Sequence, residues 1–386
     1  MKKTFFKNIK FPAFLLSLLP LFFSCHGVIF DTIRDEVKLA DAVISGDIQD
    51  IIRYKDDIYV STGKISHRNV SLTKDINGKT QEEYKEGEVF VAAADQKSEL
   101  KSFSSPSGYI YSLAADSNNL YALSVIIEED DDGYNVPTKR ILWCYTATEE
   151  GKEGSWKEIW SKSYDGSKDD KAFLFCTNTL KESNRHAYFR YQKTIYELTG
   201  GELGDTGMTL GTTDHSTTPT SDTNSCTVLG STVYFSSAYA MTSNETSEAD
   251  STYIYRSSGD SVYYSTDGKW SDSASVDLSS DTILSLAITK DYLLAGTASG
   301  IVHTPLKADS NDKYAIPSSG NADFDTNADS TLSSYYEVPA LLVLDSFQKE
   351  ISATIFATCL TSSTSASLNN VGLWSYFATE GEWNRE

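Results

Sequence analysis

The sequence is poor in the residue types from which catalytic and metal sites are built. Its 386 residues include only five histidines and five cysteines. No CxxC pair, HExxH pair or GxSxG elbow occurs, and no glycine-rich loop ends in the Lys-Ser/Thr that phosphate binding needs. The histidines are isolated from one another: His26, His67, His186, His215 and His303. These absences argue against zinc proteins, serine hydrolases and nucleotide-binding enzymes, and we expect no catalytic residue.

Positive charge is also scarce. The 54 acidic residues outnumber the 33 basic ones, and the formal net charge is −21. Such a chain repels the phosphates of nucleic acids, which argues against that class of partner. It also repels anionic lipid headgroups. Beyond residue 25 no apolar run is long enough to cross ~30 Å of hydrocarbon, so a contact with a membrane needs another source.

The first 24 residues have the pattern of an export signal. The segment MKKTFFKNIK carries four lysines and no acid, and the short apolar run PAFLLSLLPLFF follows it. A basic start, an apolar stretch too short to span a bilayer and a small residue before the cut are typical of signal peptides. We therefore expect residues 1–24 to be removed on export.

The end of this signal, LFFSC, resembles the lipobox of bacterial lipoproteins. Phe22 replaces the usual leucine, which makes the match closer to the looser spirochaete type. The resemblance implies cleavage before Cys25 and acylation of its thiol, with palmitate as one such chain, and acyl chains hold a protein on a membrane surface. An ordinary signal peptide that ends near a cysteine is the alternative. The expected location is the cell envelope, at the outer membrane or the periplasmic side of the inner membrane, with surface exposure left open.

The other cysteines lie in apolar, strand-like stretches: Cys144, Cys176, Cys226 and Cys359. A free thiol in such a stretch behaves as a small core residue, and this is the interpretation we favour. A disulfide between Cys176 and Cys226 is the alternative, because exported proteins can form such bonds.

Two kinds of internal repeat dominate the rest of the chain. In the first, Ile or Leu residues are spaced by three and then by seven, around a polar turn. Its copies are Ile48, Ile51 and Ile58; Ile110, Leu113 and Leu120; and Ile283, Leu286 and Leu293. The second runs from Tyr to Trp across a turn of Thr, acids and Gly, in YTATEEGKEGSW (Tyr145–Trp156), YYSTDGKW (Tyr263–Trp270) and YFATEGEW (Tyr376–Trp383). Short β-rich runs that flank such turns predict hairpins.

Together the repeats mark six units of similar length. Their first strands are expected near Ile48, Tyr109, Ala172, Ser225, Thr282 and Val338. A fixed period of about 60 residues with four short strands per unit is typical of propeller blades. We predict an all-β propeller over residues 46–386, with six four-stranded blades and seven as the alternative count. Residues 25–45 would form the lipidated N-terminus, within which residues 28–44 would supply a ring-closing strand or a helix. Two smaller β domains split within residues 203–224 are the competing architecture.

The segment STDGKW, Ser265–Trp270, resembles the Asp box of sialidase-like propellers. In that family the box is a structural turn whose acid bonds backbone amides, so the resemblance implies no chemistry at this position. Sialidase-type hydrolysis needs a cluster of arginines that grips a carboxylate, and the arginines beyond residue 25 follow no such motif. A sialidase-like or other glycoside-processing enzyme is therefore kept only as an alternative.

Two acidic segments are candidate cation sites. Asp323, Asp325, Asn327 and Asp329 alternate like the oxygen ligands of a calcium loop, although Ala328 and Ser334 replace the usual glycine and glutamate. A calcium-dependent adhesive or structural protein is thus a further alternative. Glu128–Asp132 places five acids together at a hairpin tip, where a metal or a basic partner could neutralise them and a solvated loop is the simpler expectation.

We therefore expect a lipid-anchored, non-catalytic module that binds or scaffolds an envelope or host protein, or a glycan. The expected membrane contact is the lipid on Cys25. The sequence identifies no ligand-binding residue and requires no cofactor, with calcium as the one candidate.

Overall fold

The structure, a computed structural model, consists of β-strands joined by turns. It describes residues 48–55, 57–69, 101–147, 154–164, 171–177, 179, 181–204, 207–210, 217–245, 250–289, 291–309, 314–318, 322–323, 336–343, 354–361, 371–377 and 382–385. Within these residues only two single-turn 3₁₀ helices interrupt the strands, at Glu182–Asn184 and Asp272–Ala274. No helix of this part is long and apolar enough to cross a membrane. The expected all-β class is confirmed.

The first three sheets each contain four antiparallel strands that pair in chain order. Sheet 1 consists of β1 (Asp50–Tyr54), β2 (Asp57–Ser61), β3 (Ile65–Asn69) and β4 (Lys101–Ser102). Sheet 2 consists of β5 (Tyr109–Ala115), β6 (Asn119–Glu129), β7 (Asn135–Thr146) and β8 (Ser155–Ser163). Sheet 3 consists of β9 (Ala172–Cys176), β10 (Ala187–Tyr191), β11 (Thr194–Thr199) and β12 (Glu202–Leu203).

Four further sheets follow. Sheet 4 consists of β13 (Ser225–Leu229) and β14 (Thr232–Ser236). Sheet 5 consists of β15 (Met241–Ser243), β16 (Ile254–Ser258), β17 (Ser261–Ser265) and β18 (Ser275–Asp277). Sheet 6 consists of β19 (Ile283–Ile288), β20 (Tyr292–Thr297), β21 (Gly300–Ala308), β22 (Tyr314–Pro317) and β23 (Ala322–Asp323). Sheet 7 consists of β24 (Tyr336–Glu337), β25 (Leu341–Val343), β26 (Thr354–Thr361), β27 (Gly372–Phe377) and β28 (Glu382–Arg385).

The spacing of the first repeat follows from these hairpins. In sheets 1, 2 and 6 the first two repeat residues lie at or just before the first strand, and the third lies on the second strand after the polar turn. All nine repeat residues are buried, none being more than 7% exposed. The repeat therefore marks the apolar face that each first hairpin turns toward a neighbouring sheet.

Two of the three Tyr-to-Trp segments form equivalent hairpins. Tyr145 of β7 lies opposite Trp156 of β8, and their rings are 5.3 Å apart. Tyr376 of β27 lies opposite Trp383 of β28, with rings 5.4 Å apart. Such cross-strand aromatic pairs stabilise antiparallel sheets by about 0.2–1 kcal/mol. Because the Trp156 Nε1 also donates to Ser104 O at 2.7 Å, this pair joins sheet 2 to the chain that leaves sheet 1.

The third segment differs from the expected hairpin. Strand β17 ends at Ser265, and Trp270 lies in the turn before β18. The guanidinium of Arg256 stacks on the rings of Trp270 and Tyr263, at 5.0 Å and 5.2 Å. The tryptophan therefore contacts an arginine of its own sheet, and it does not begin the next strand, which starts at Ser275.

Successive sheets pack in a propeller-like arrangement. In sheet 7 the two-residue β24 and then β25 both pair with β26, and β25 is counted here as the first strand of that sheet. The first strands are neighbours in the order β1, β5, β9, β13, β15, β19 and β25, and β25 lies next to β1. Buried apolar clusters lie between sheets 1 and 2, 2 and 3, 3 and 4, 5 and 6, and 6 and 7. These sheets belong to one compact unit, Ala42–Glu386. The split into two smaller β domains is not observed.

The junction between sheets 4 and 5 is polar instead. Among the described residues no buried apolar cluster covers it. The Ser225 hydroxyl donates to Ala238 O at 2.8 Å, and the Gly230 amide donates to the Ser251 hydroxyl at 3.0 Å. The Tyr234 ring lies so close to Gly268, whose φ is +77°, that any Cβ there would come within 2.0 Å of it. Hydrogen bonds and one close backbone approach therefore hold this junction.

Sheet 7 packs directly on sheet 1. Leu342, Phe356 and Leu373 form a buried cluster with Ile48, Ile51, Ile58 and Val60. The outer strand of sheet 7 is β28, which pairs with β27 from Trp374 to Phe377. Residues 25–45, including the ring-closing strand or helix predicted at 28–44, lie outside the described residues, so that prediction stays a prediction.

The expected unit starts agree with the structure at six places. The first strands of sheets 1, 2, 3, 4, 6 and 7 begin within three residues of the expected positions. The unit expected from Ser225 to Asp281 contains two sheets, because β13 and β14 form a sheet separate from β15–β18. Sheet 5 was not predicted as a separate unit, and its first strand, Met241–Ser243, has three residues and carries no copy of the Ile/Leu repeat.

We predict that Phe356→Ala destabilises the domain by about 3–5 kcal/mol, because it leaves a cavity in the only cluster that joins the last sheet to the first among the described residues. Tyr134→Ala, at a residue that is 69% exposed, should change stability by less than about 0.5 kcal/mol. Urea unfolding of both variants measures the difference. Equal stability of the two would contradict the closing role of this cluster.

Candidate functional site

A cavity of about 220 Å³ lies where the first strands converge. Each of the seven first strands contributes residues to its lining, among them Ile51, Leu113, Leu174, Cys226, Met241, Leu286 and Leu341. The polar lining includes Asp50, Arg53, Thr177, Arg185 and Asn224. Tyr239, in the turn before β15, also lines it and is 67% exposed. The cavity is therefore lined by both apolar and polar side chains. The exposed aromatic side chain, Tyr239, lies where the cavity meets solvent.

Asp50 is the carboxylate of this cavity. Its Oδ1 accepts the Ile51 amide at 2.9 Å, and its Oδ2 accepts the Leu113 amide at 2.9 Å. The Ser112 hydroxyl lies 3.2 Å from the same Oδ2 and 3.1 Å from Leu174 O. Through these contacts one side chain of sheet 1 is tied to sheet 2, and sheet 2 is tied to sheet 3.

The position of Asp50 recurs in the repeat. Ser112 and Ser285 stand, like Asp50, two residues after the first isoleucine of their copies. Each reaches forward to the next sheet, and the Ser285 hydroxyl donates to Val338 O at 2.8 Å. In β5 and β19 a bulge adjoins this serine. The sequence signal for this role is a polar residue at a fixed position inside an otherwise apolar repeat.

Burial raises the pKa of Asp50 from 3.8 to about 6. The geometry shows why the protonated acid suits this place. A hydroxyl has one hydrogen, so an ionised Asp50 and the Leu174 carbonyl compete for the single proton of Ser112. A protonated Asp50 would donate to Ser112, and Ser112 could then donate to Leu174. Asp50 thus has a structural role: its two oxygens are already hydrogen-bonded to the backbone amides of Ile51 and Leu113 and to Ser112.

Arg185 and two thiols complete the polar part of the lining. Arg185 is only 5% exposed, and its Nε donates to Thr179 O at 3.4 Å. The described cysteines, Cys144, Cys176, Cys226 and Cys359, form no disulfide. Burial raises the pKa of Cys176 to about 12 and that of Cys226 well above its usual value, which keeps both thiols protonated and poorly nucleophilic. The expected core role of the cysteines agrees with this arrangement, and the Cys176–Cys226 disulfide is not formed.

Other arginines serve the framework away from the cavity. Arg190 donates to Thr223 O at 2.7 Å, and Arg256 lies between Tyr263 and Trp270. Of the described arginines the cavity receives Arg53 and Arg185. The structure thus brings together no larger arginine group at this place.

The acidic turns have local structural roles. Asp267 Oδ1 accepts the Lys269 amide at 2.9 Å and the Ser265 hydroxyl at 3.1 Å, which is the turn that the Asp-box resemblance implied. At the tip of β6 and β7, Asp130 Oδ1 accepts the amides of Asp132 and Tyr134. Both turns lie away from the cavity lining.

The remaining predicted site residues lie at the end of a described segment or outside the described residues. Asp323 is the last residue of β23, whereas Asp325, Asn327 and Asp329 lie outside the described residues, as does Cys25. Within the described part no three His, Cys, Asp or Glu side chains gather as metal ligands. The calcium and lipidation sites therefore stay predictions.

A second buried carboxyl lies in the turns that follow the first strands. Glu245 is 3% exposed, and Asn184 Nδ2 donates to its Oε1. Asn184 also donates to Gly230 O at 3.3 Å, so the two residues connect sheets 3, 4 and 5. Burial raises the pKa of Glu245 from 4.5 to about 7, the nearby Lys181 lowers it and Asp250 raises it. This carboxyl therefore titrates near neutral pH.

Comparison with known proteins identifies no family. No protein-family model matches the chain, and no curated protein matches it. Among solved structures it is similar to Sqt1 from Saccharomyces cerevisiae, with 9% identity, a TM-score of 0.35 and coverage of 88% of this chain and 97% of that one. It is also similar to the PQQ-bound aldose sugar dehydrogenase from Streptomyces coelicolor, with 9% identity, a TM-score of 0.42 and coverage of 88% and 96%. With TM-scores this low, neither likeness bears on function.

We predict that Asp50→Asn destabilises the domain more at pH 5 than at pH 8. The folded pKa lies above the unfolded one, so the wild-type carboxyl costs no stability below about pH 4 and its full penalty above about pH 6. Asparagine offers one oxygen to two backbone amides and loses a hydrogen bond, at a cost of about 1–3 kcal/mol. At pH 8 the wild-type carboxylate is ionised and destabilises the fold, whereas asparagine is neutral, so the variant avoids this cost and the lost hydrogen bond is partly offset. Chemical denaturation at both pH values measures the effect, with the exposed Asp291→Asn as control; equal losses at both would contradict it.

We predict that Glu245→Gln raises the melting temperature at pH 8 and leaves it almost unchanged at pH 5. Because the folded pKa of Glu245 is raised, ionisation costs stability as the pH rises from about 4.5 through 7. Glutamine has no charge, so the variant avoids this destabilisation of about 1–3 kcal/mol at pH 8. Glu182→Gln, at an exposed residue near Asn184, should leave the wild-type pH profile intact. An unchanged profile in Glu245→Gln would contradict the assignment.

Proposed function

We propose that this protein is a cell-envelope lipoprotein whose β domain binds a protein or glycan without transforming it. The observation that carries the proposal is the cavity at which all seven first strands converge. The carboxyl group in this cavity, that of Asp50, is already hydrogen-bonded between sheets 1 and 2. The thiols of Cys176 and Cys226 are kept protonated by burial. What the cavity offers a ligand is a fixed shape with an exposed aromatic rim, which suits recognition.

Rigidity supports this role. The first strands are held to their neighbours by the forward hydrogen bonds of Asp50, Ser112, Ser225 and Ser285. A binding surface built on such strands keeps its geometry without a ligand and so loses little entropy when one binds. Turns at the rim, such as the one that carries Tyr239, can vary in sequence while the framework stays the same.

We also propose that the seven sheets are the blades of one closed ring. The cyclic order of the first strands and the packing of sheet 7 on sheet 1 support this arrangement. A sheet with two apolar faces needs a neighbour on each side, and closure gives every sheet two neighbours. Sheet 4, with two described strands, would be the thinnest blade.

The anchor is tested by labelling growing cells with an alkyne analogue of palmitate. The wild-type protein should incorporate the label and partition with membranes, whereas Cys25→Ser should do neither, because the thiol is the acceptor of the acyl chain. Cys359→Ser, which removes a buried thiol of sheet 7, serves as the matched control and should label normally. Labelling that survives in Cys25→Ser would contradict the lipoprotein assignment.

The binding role is tested with a photo-crosslinking amino acid at position 239, at the cavity rim. Irradiation of intact cells should give a discrete adduct from position 239 and none from position 134, which is equally exposed but lies on the β6–β7 tip. Purified protein should leave fluorogenic glycoside substrates unchanged. Turnover of such a substrate, or an adduct from both positions alike, would contradict a binding site at the cavity.

A further inference from the structure

The carboxyl group of Glu245 is buried with one of its two oxygens unsatisfied. Glu245 lies two residues after β15 and is only 3% exposed. Asn184 Nδ2 donates to its Oε1, whereas among the described residues no donor reaches its Oε2. An ionised oxygen without a donor is costly to keep away from water. The folded site therefore favours the protonated carboxyl, and ionisation favours any conformation in which water reaches Glu245.

The charged groups that the structure describes around Glu245 come from two neighbouring segments. The segment between β9 and β10 holds Lys181, Glu182 and Arg185, and the segment before β16 holds Asp250. The turn between β13 and β14 carries no charged side chain. Burial raises the pKa of Glu245 to about 7, although the amide and the ammonium of Lys181 lower it; Asp250 raises it. Lys181 compensates Glu245 only in part, because it also pairs with Asp250.

The junction of sheets 4 and 5 offers a conformation of that kind, because little apolar packing holds it closed. No buried apolar cluster of the described residues covers it. The Gly230 amide donates to the Ser251 hydroxyl at 3.0 Å, and that hydroxyl donates to Val228 O at 2.7 Å. The neighbouring strand β15 pairs with β16 over three residues only. Water can replace hydrogen bonds but not apolar contacts, so a polar junction opens at a lower cost.

The short strand β15 also connects Glu245 to the rim of the cavity. Tyr239 lies in the turn just before β15, and Glu245 lies just after it. On the side of sheet 4, the Ser225 hydroxyl donates to a carbonyl of this turn at 2.8 Å. On the side of sheet 5, the Ala240 amide donates to the Ser257 hydroxyl at 3.2 Å. The turn thus spans the junction, and the position of Tyr239 depends on whether sheets 4 and 5 stay together.

We propose that the junction of sheets 4 and 5 is a pH-sensitive switch that closes when Glu245 is protonated and opens when Glu245 is ionised. The closed junction holds Tyr239 at the cavity rim, and the open junction releases its turn. Because the folded pKa is raised, the closed state is most stable below about pH 4.5 and loses stability as the pH rises through 7. This inference rests on the proposed binding function, since it names a regulation of the same cavity.

The test is amide hydrogen exchange of the full-length mature protein, measured by mass spectrometry for the wild type and Glu245→Gln. Both are compared at the same pH, so the intrinsic pH dependence of exchange cancels. At pH 8 the wild type should exchange residues 225–245 about tenfold or more faster than the variant, and at pH 5 less than about fivefold faster. Residues 283–297 of sheet 6 should exchange alike in both. A ratio that is the same at pH 5 and pH 8 would overturn the proposal.

Two further variants locate the effect. Asp250→Asn removes the acid that pairs with Lys181, so that Lys181 compensates Glu245 alone, and exchange of residues 225–245 at pH 8 should slow several-fold. This variant also serves if Glu245→Gln does not fold. Glu182→Gln is the matched control, because it neutralises an exposed acid of the neighbouring segment; its exchange should equal that of the wild type at both pH values. Equal exchange of Asp250→Asn and the wild type at pH 8 would count against the switch.

Crosslinking from position 239 connects the switch to binding. In cells held at pH 6 and pH 8, the adduct of the wild type should fall several-fold at the higher pH, whereas that of Glu245→Gln should stay constant. A pH-dependent exchange ratio without any adduct would remove the binding site and leave the switch. Equal adducts at both pH values in the wild type, together with a constant exchange ratio, would remove the switch and leave the binding site.

Discussion

Leu342, Phe356 and Leu373 of sheet 7 cover Ile48, Ile51 and Ile58 of sheet 1, and the rest of the arrangement depends on this contact. A small antiparallel sheet that is apolar on both faces cannot stay in water alone, so it needs a neighbour on each side. Without the contact of sheet 7 with sheet 1, both would expose an apolar face. Here the contact is made by side chains from the two ends of the domain, so it couples the start of the chain to its end.

Apolar packing does not by itself specify how the sheets are placed along one another, and buried polar groups supply that information. Asp50, Ser112 and Ser285 occupy one repeat position and reach the backbone of the next sheet. Hydrogen bonds are directional, so each of them defines the height at which one first strand meets the next. The cost is visible at Asp50, whose burial raises its pKa to about 6. The junction of sheets 4 and 5 uses polar ties where the other junctions use apolar clusters.

Much of the architecture could be predicted from short sequence patterns. The Ile/Leu repeat located three first hairpins, and the Tyr–Trp pairs located the outer hairpins of sheets 2 and 7, because residues that face a neighbouring sheet must be large and apolar at fixed spacings. Sheet 5 was not predicted as a separate unit, and the Tyr-to-Trp segment that it contains, YYSTDGKW, leaves β17 at Ser265 and continues as a turn up to Trp270. Similar letters thus gave two structures: Trp156 and Trp383 each lie opposite a tyrosine in a strand pair, whereas Trp270 lies in a turn and stacks on Arg256.

The candidate sites were much less accessible from sequence. Tyr239, Arg185 and Asp50 are far apart along the chain, and so are Asn184 and Glu245. Their meeting depends on which sheets are neighbours and on where each strand begins. The sequence by itself determined the β class, the hairpin period and the expected export signal, because these follow from local spacing and composition. Only the tertiary structure decided the number of sheets, the contact between the last and the first, and the cavity where the first strands meet, because those depend on long-range packing that no local pattern encodes.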